Sequence, residues 1–321
     1  RCGSGLQAVA TAAMMVQTGV ADCVLAGGVE NMSNVEHYTT KARHGARLGD
    51  MVLWDRLTRG RLMSQPIERF GVITGMIETA ENLAKDYDIS REAADAFAVR
   101  SHQNAARAWA EGKFDDQLVP VEIPQRRGDP VVFARDEGFR EDASMDTLGK
   151  LRAIDGKRDA DAIVTAGNAS QQNDAAAACL VVAEDKVEEL DLEPILWFHS
   201  WSAAGCDPSR MGIGPVPAVE RLFAKTNMGW DDIGLIELNE AFAPQALAVL
   251  KGWGFAEDDS RRELVNVNGS GISLGHPIGA TGIRILADLA HEMQRREVRY
   301  GLETMCIGGG QGMAAVFERA A

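Results

Sequence analysis

The chain has 321 residues, of which 45% are hydrophobic and 25% charged, an ordinary globular composition with room for one large domain or two smaller ones. Its 33 basic and 47 acidic residues give a net charge of −14, which argues against a surface that binds nucleic acid or an anionic membrane. No apolar run is long enough for a transmembrane helix, and the five scattered cysteines fit neither a disulfide framework nor a zinc site.

The first residue and the cysteines of the chain give indications of its cellular compartment. The first residue is Arg1, and Cys2 already belongs to an ordered-looking motif, so we expect the natural N-terminus to lie before the given sequence. Unpaired cysteines in an odd number predict a reducing compartment, most simply the cytoplasm. A targeting segment before Arg1 would send the protein to an organelle, and that alternative stays open.

The first elements in chain order are a helix and a strand. The stretch Ser4 to Gln17, SGLQAVATAAMMVQ, consists of helix formers with apolar or small residues on every face, which predicts a buried helix. Gly19 ends this helix, and CVLAGG, from Cys23 to Gly28, predicts a short buried strand. A helix that leads into a buried strand is typical of a layered α/β fold.

The character of the sequence changes between residues 37 and 158, which we interpret as an inserted loop or lid domain. It contains two amphipathic helices, TAENLAKDYD and SREAADAFAVRSHQNAARAWAEG, the second with Ser90 as its predicted N-cap. Residues 41–61 hold six Lys or Arg against two Asp, which indicates either a site for an anionic ligand or a solvated surface.

The layered pattern returns after AIVTAGNAS. AAACLVVAE is predicted as a buried strand or a helix end, PILWFHSWSA, LIELNEAFA and VNVNG as strands or strand ends, and PVPAVERLFAKT and APQALAVLKGWG as helices. The order loop, helix, strand and glycines occurs twice, in RCGSGLQAVATAAMM–CVLAGG and in LGHPIGATGIRILADLA–ETMCIGGGQG. An internal duplication of this kind would bring Cys2 and His276 together across a pseudo-twofold axis.

Cys2 is the first candidate for chemistry. It precedes the predicted buried helix, where unpaired backbone N–H groups and the helix dipole would lower the pKa of a thiol. The alternative is a buried structural cysteine, but the GSG that follows would admit a ligand.

Three further side chains are candidates. His276 lies among glycines and before Pro277, a setting that presents an imidazole where something bulky approaches the backbone, although a core histidine is the alternative. Cys306, in MCIGGGQGM, could act as a general base, and Asn239, in LNEAF, could donate to a water or an oxyanion or simply cap the next helix. A Cys–His pair is a usual arrangement for acyl transfer, whereas a phosphate loop is disfavoured because no GK[ST] follows the glycines.

Six motifs together resemble the thiolase family, the acyl-CoA C-acetyltransferases. They are CGSG, VTAGNAS, MGIGPVPA, NEAFA, GSGISLGHPIGATG and CIGGGQG, in family order from the first residues to the last. The resemblance implies a layered α-β-α-β-α fold of two similar βαβαβ-type halves plus an inserted loop domain. It places the N-terminal half at residues 1–36 and 159–193 with its first part missing, the loop domain at 37–158 and the C-terminal half at 194–321.

The resemblance also implies catalytic roles. Cys2 would be the nucleophile that carries the acyl group, and His276 would activate it and form one oxyanion site with a water held by Asn239. Cys306 would be the acid and base at the methyl group of acetyl-CoA. The backbone N–H groups of Cys2 and Gly308 would form the second oxyanion site.

Substrate contacts are implied in the same way. Ser170 would touch the pantetheine arm of coenzyme A, Arg140 would lie near the nucleotide, and Met211 and Phe242 would line the acyl pocket. Coenzyme A is a substrate and no metal or redox cofactor is implied; the partners implied are acyl-CoA, coenzyme A and a second or further copies in a homodimer or homotetramer.

The chain departs from short-chain biosynthetic members of the family at one place. Those members often have His-Met-Gly before TAEN, whereas here Gly75, Met76, Ile77 and Glu78 precede it. With Met76 at the substrate, a bulkier 3-ketoacyl chain becomes possible. Gln171 stands where a glycine frequently follows NAS, a change that some degradative members share.

Three alternatives to an active thiolase are considered: another enzyme of the same fold, an inactive binding protein and an incomplete fragment. A decarboxylating ketoacyl synthase of the same fold would show a Cys-His-His set, where this chain has NEAFA and Cys306. A catalytically impaired, thiolase-like protein that only binds coenzyme A or lipid would be expected to lose some of the four candidate side chains, which are all retained. A fragment that lacks part of the first half would expose apolar surface.

Overall fold

The computed structural model describes residues 1–320. Its helices are, in chain order, α1 (Ser4–Gln17), α2 (Arg56–Leu62), α3 (Ile67–Phe70), α4 (Met76–Asp86), α5 (Arg91–Ala110), α6 (Met145–Leu148), α7 (Pro215–Thr226), α8 (Ala243–Gly252), α9 (Gly271–Leu274) and α10 (Thr281–Arg296). Its strands are β1 (Cys23–Asn31), β2 (His37–Tyr38), β3 (Trp54–Asp55), β4 (Val121–Ile123), β5 (Val131–Phe133), β6 (Asp174–Val182), β7 (Leu196–Gly205), β8 (Leu235–Leu238), β9 (Tyr300–Ile307) and β10 (Gln311–Arg319).

Two sheets sandwich a pair of helices. The first sheet pairs β1 with β6 in antiparallel register, and the second has the order β7-β10-β9-β8, in which β8 and β9 are parallel. Helices α1 and α10 lie between the sheets, because both contact β1 and β6 while α10 also contacts β8 and β9. Helices α7 and α8 cover the other face of the second sheet, where a large apolar core is buried.

Helices α1 and α10 cross where Gly5 and Gly282 approach each other. A Cβ atom added to Gly282, at the start of α10, would lie 2.2 Å from the backbone nitrogen of Leu6 in α1, so this crossing requires a residue without a side chain. The close approach brings the N-terminal ends of α1 and α10 together. These are the two ends that the repeated sequence pattern predicts to carry Cys2 and His276.

Residues 37–158 form short hairpins and helices beside this core. β2 pairs with β3 and β4 with β5, while α4 and α5 pack against α8 of the C-terminal part. The Ser90 side chain accepts a hydrogen bond from the backbone N–H of Ala93, which confirms the predicted N-cap of α5. None of the helices in residues 1–320 has the length and the apolar character needed to cross a bilayer.

Three local predictions are wrong. Strand β1 is largely exposed rather than buried, with Leu25 70% and Val29 72% exposed, because residues 1–320 cover only one of its faces. For the same reason α1 buries one side and leaves Thr11 and Met14 exposed. VNVNG forms isolated bridges at Val265 and Val267 rather than a strand, since its backbone turns at Asn266.

Candidate active site

Cys2 lies immediately before Gly3, the N-cap of α1. Burial raises the pKa of its thiol above the ordinary value, and the backbone N–H groups of Gly308 and Cys2 and the positive charge of Arg61 act in the opposite direction. The expectation of a lowered pKa is therefore wrong, because desolvation outweighs the helix N-terminus. The thiol is protonated at rest and needs a base before it can attack.

His276 is held in the loop between α9 and α10. Its Nδ1 lies 2.7 Å from Oγ1 of Thr281, and its backbone N–H donates to Oδ1 of Asn173 at 3.1 Å. Burial, together with the nearby cations Arg284 and Arg61, lowers the pKa of the imidazole to about 3. The ring is neutral at physiological pH, so it can accept a proton.

The glycines around His276 make room for the protein's own chain. Gly275 adopts φ +97°, and a Cβ atom on it would lie 2.4 Å from Oδ1 of Asn173. The backbone of Leu6 likewise occupies the space that a side chain on Gly282 would need. At these two positions the space is occupied by neighbouring segments, where the sequence suggested a ligand.

Asn239 faces the imidazole from the end of β8. Its backbone N–H donates to the carbonyl of Thr304 on β9, and its Nδ2 lies 3.4 Å from Nε2 and 3.5 Å from Nδ1 of His276. Its side chain caps no helix in residues 1–320, since α8 has Phe242 as its N-cap residue. The Oδ1 atom lies beside Gly271 and is buried without a hydrogen-bond partner among the described residues, so its acceptor capacity is unused.

Cys306, near the end of β9, is fully buried. Burial raises the pKa of its thiol well above the ordinary value, and the neighbouring thiols of Cys2 and Cys206 act in the same direction. It belongs to an apolar cluster that contains three of the predicted substrate residues, Met76, Met211 and Phe242. Chain segments far apart in sequence thus build an apolar wall around one buried thiol.

The remaining predicted residues, Ser170 and Arg140, lie on segments that contact the site. The backbone N–H of Ser170 donates to the carbonyl of Ala241, which places it beside the segment that follows Asn239. Arg140 is exposed, and its backbone N–H donates to Nδ1 of His102. Its neighbour Phe139 packs in a buried cluster with Leu274, two residues before His276.

The other three cysteines lie outside the fully buried core. Cys23 is exposed on β1, while Cys179 and Cys206 are half-buried. Burial raises the pKa of both half-buried thiols to about 11. Their thiolate forms are therefore scarce near neutral pH.

Comparison with known proteins decides between the alternatives. Residues 1–185 match the thiolase N-terminal domain and residues 192–319 match the thiolase C-terminal domain. The chain belongs to the thiolase family.

Individual relatives of this thiolase support the same conclusion. An acetyl-CoA acetyltransferase of Chromobacterium violaceum is 47% identical over 319 residues, which cover 99% of this chain and 78% of the relative. Beta-ketothiolase BktB of Cupriavidus necator is 47% identical over 318 residues, with 99% and 77% covered. The enzyme is thus an acyltransferase of the thiolase class, and the reading as an inert binding protein is not favoured.

Solved structures confirm the thiolase fold. The Bacillus anthracis acetyl-CoA acetyltransferase superimposes with a TM-score of 0.90 at 43% identity, covering 99% of this chain and 77% of that one. The human mitochondrial 3-ketoacyl-CoA thiolase in complex with CoA gives a TM-score of 0.90 at 37% identity, covering 99% and 76%. The predicted α/β fold class is correct.

Two residues that contact His276 escaped the sequence analysis. Thr281 follows it by five residues inside the GATG segment, and the turn made by Pro277 to Ala280 returns its hydroxyl to the ring. A polar side chain at the first position of the helix after the histidine was the available signal. Asn173 lies over a hundred residues away, and only the fold brings it to the loop.

Proposed function

We propose that the enzyme transfers acyl groups between coenzyme A thioesters through Cys2, cleaving a 3-ketoacyl-CoA or, in reverse, condensing two acetyl-CoA molecules. The observation that carries this proposal is the close approach of the N-terminal ends of α1 and α10 at Gly5 and Gly282, since Cys2 precedes the first helix and His276 the second. The raised pKa of the Cys2 thiol and the lowered pKa of the His276 imidazole suit a thiol that gives its proton to a neutral base. The family membership supports the same chemistry.

The first step is proton transfer from Cys2 to His276. We propose the tautomer in which Nδ1 of the imidazole donates to Thr281 Oγ1, 2.7 Å away, because it leaves the lone pair of Nε2 to accept the thiol proton. The Cys2 thiolate then attacks the 3-keto carbonyl carbon of the substrate. The C2–C3 bond breaks, the acyl group stays on sulfur, and acetyl-CoA leaves as its enolate.

Cys306 completes this half-reaction. Its raised pKa keeps the thiol protonated, which suits an acid that delivers a proton to the C2 carbon of the enolate. Free coenzyme A then gives its thiol proton to the Cys306 thiolate and attacks the Cys2 thioester; the acyl group moves to coenzyme A, and the departing Cys2 thiolate recovers its proton from His276. In the condensing direction Cys306 first gives its proton to the coenzyme A released when acetyl-CoA acylates Cys2, and the resulting thiolate takes a proton from the methyl group of a second acetyl-CoA.

Two sites would stabilise the negative charge on oxygen. The backbone N–H groups of Cys2 and Gly308 both lower the pKa of the Cys2 thiol, and we infer that they would also donate to a substrate oxygen bound next to the sulfur. Asn239 and His276 form the second site. The unpartnered Oδ1 of Asn239 would orient a water that donates to the substrate oxygen.

Coenzyme A is the proposed acyl carrier. The human relative that superimposes on this chain is described in complex with CoA. Ser170 lies beside the Asn239 segment, where it would meet the pantetheine arm, and the exposed guanidinium of Arg140 would meet a phosphate. We propose no other cofactor; within residues 1–320, His, Cys, Asp and Glu form no group of three placed to hold a metal ion.

A 3-ketoacyl chain longer than acetoacetyl is the proposed substrate preference. Met76 and Ile77 pack at the apolar cluster around Cys306, in the segment where short-chain relatives often have a histidine. A Cβ atom on Gly308 would lie 3.5 Å from the Met76 sulfur, which puts this flexible side chain at the edge of the oxyanion site. An apolar, adaptable wall favours an alkyl chain.

We propose a homodimer or homotetramer, since the face of β1 and β6 that carries Leu25, Val29 and Leu180 is apolar and exposed. A cytoplasmic location is supported by five free cysteines and by the bacterial relatives. Light scattering of the purified chain tests the assembly.

The experiment that tests the function is intact-protein mass spectrometry after incubation with acetyl-CoA, followed by peptide mapping. We expect one acetyl group on the peptide that contains Cys2, and none in Cys2→Ser. The matched control is Cys23→Ser, which removes an exposed cysteine and should acylate like the parent. An adduct that persists in Cys2→Ser would refute the assignment.

A further inference from the structure

Residues 168–173, here named the strap, cross both loops that carry the candidate catalytic side chains. The strap is anchored by Asn168, whose Nδ2 donates to Asp95 Oδ1 at 2.8 Å and whose Oδ1 accepts from the backbone N–H of Thr165 at 2.8 Å. Asn168 is itself fully buried. Its start is therefore fixed to α5.

The first part of the strap pairs with the segment after Asn239. The backbone N–H of Ser170 donates to Ala241 O at 3.0 Å, and that of Ala243 donates to Asn168 O at 2.8 Å. These two bonds form a short antiparallel bridge at Ala169 and Phe242. The strap thus has a defined register against the Asn239 loop.

The second part of the strap holds the histidine loop. Gln171 Nε2 donates to the carbonyls of Gly138 at 2.7 Å and Ile272 at 3.2 Å. Two residues later, Asn173 Oδ1 accepts the backbone N–H of His276 at 3.1 Å. Because only an oxygen can accept that proton, the orientation of the Asn173 amide is determined by the contact.

The contact with Asn173 falls where the histidine loop turns, at Gly275 and His276. Gly275 has φ +97°, and its Cα approaches the Asn173 amide too closely for any side chain. Pro277, which follows His276, has no backbone N–H to donate. Among the described residues, Asn173 provides the acceptor for the main-chain N–H of His276.

We propose that Asn173 is a positioning residue that sets the backbone of His276 and thereby aims its imidazole at Cys2. This inference rests on the proposed function of His276 as the base for Cys2. It assigns to the segment after the NAS motif a role in aligning the Asn239 and His276 loops with each other. Asn173 acts through His276, so its loss should slow the chemical step and leave substrate affinity largely unchanged.

The test compares Asn173→Ala, Asn173→Asp and Gln172→Ala in the full chain. Asp keeps the acceptor oxygen, whereas Ala removes it; Gln172 is the exposed neighbour and serves as the matched control. We measure kcat and KM for thiolysis of a 3-ketoacyl-CoA, normalised to the fraction of Cys2 that acetyl-CoA labels at long times. Thermal unfolding of each variant gives its stability separately.

The expected result is a drop in kcat of about 10²-fold in Asn173→Ala, as for a catalytic group displaced by about 1 Å, with KM changed little. Asn173→Asp should recover most of this loss, and Gln172→Ala should match the parent. A kcat at the parent level in Asn173→Ala, or an Asp variant as slow as the Ala variant, overturns the inference. Failure of the parent itself to acylate Cys2 overturns the proposed function instead, so the two failures are distinguishable.

Discussion

Thr281→Val tests whether the Thr281 hydroxyl holds the imidazole of His276 in its reactive tautomer. Valine has nearly the shape of threonine, so the start of α10 and its contact with α1 should survive the change. What disappears is one polar contact, the 2.7 Å hydrogen bond between Oγ1 and Nδ1. Since His276 is 7% exposed, water has little access to replace it.

The magnitude follows from the burial of this pair. Leaving a buried polar group without its partner costs about 1–3 kcal/mol. If that cost falls on the orientation of the neutral ring in the transition state, it slows proton transfer from Cys2 by about 5- to 150-fold. The ring could also turn toward the Nδ2 of Asn239, which lies 3.4–3.5 Å from both ring nitrogens, and spoil the tautomer further.

The assay is single-turnover acetylation of Cys2 by excess acetyl-CoA, followed by quenching and intact-protein mass spectrometry. Thr11→Val is the matched control, because Thr11 is an exposed threonine in α1 whose hydroxyl donates to its own helix. We expect the acetylation rate to fall in Thr281→Val only, with both variants unfolding at nearly the parent temperature. Equal rates in all three proteins would show that Thr281 does not orient the base.

Two predictions concern stability. Glu303 is fully buried, both of its carboxylate oxygens are unpartnered among residues 1–320, and burial raises its pKa well above 4.5. Because the pKa is higher in the folded state, the free energy of unfolding falls as pH rises above about 4.5. The fall is about 1.4 kcal/mol per pH unit until the folded-state pKa is reached. Glu303→Met should therefore be the more stable protein in urea at neutral pH by about 1–3 kcal/mol, and the difference should shrink toward pH 4.5; a difference that grows on acidification would contradict this. Gly282→Ala should destabilise the fold by about 1–3 kcal/mol, because its Cβ would meet the Leu6 nitrogen, whereas Gly60→Ala, in the exposed interior of α2, should stabilise it by about 0.5–1 kcal/mol. Thermal unfolding of the two glycine variants in parallel would refute the close-approach explanation if both shifted in the same direction.

Sequence periodicity located the helices and strands better than it located their burial. The helix from Ser4 to Gln17 and the N-cap at Ser90 have the predicted residues, since both depend on local pattern and side-chain chemistry. The exposure of β1 does not follow from local pattern, because an apolar strand has the same sequence whether or not another layer covers it. Burial is a property of the assembled layers.

For the site, motifs indicated the candidate catalytic residues but not the residues that hold them in place. Cys2, His276 and Cys306 stand in glycine-rich segments that a reader of the sequence can recognise. Asn173 holds His276 across 103 positions of sequence, and no short motif encodes such a distance. The pKa of Cys2 shows the same limit, because a helix N-terminus is visible in the sequence and the desolvation that outweighs it is not.

The three candidate catalytic groups start neutral in the proposed mechanism, which suits a strongly acidic chain acting on an anionic thioester. Both thiols have raised pKa values and the imidazole has a lowered one, so none of the three is charged before the proposed reaction begins. In that mechanism a charge forms only when a proton moves between them, and backbone N–H groups would stabilise it in place of water. Arg61 and Arg284 both lower the pKa of His276, but Arg284 is paired with Asp288 at 2.8 Å and Glu30 acts in the opposite direction. The charges around the imidazole are therefore largely balanced, and the proposed mechanism places no permanent charge beside the carbon that must react.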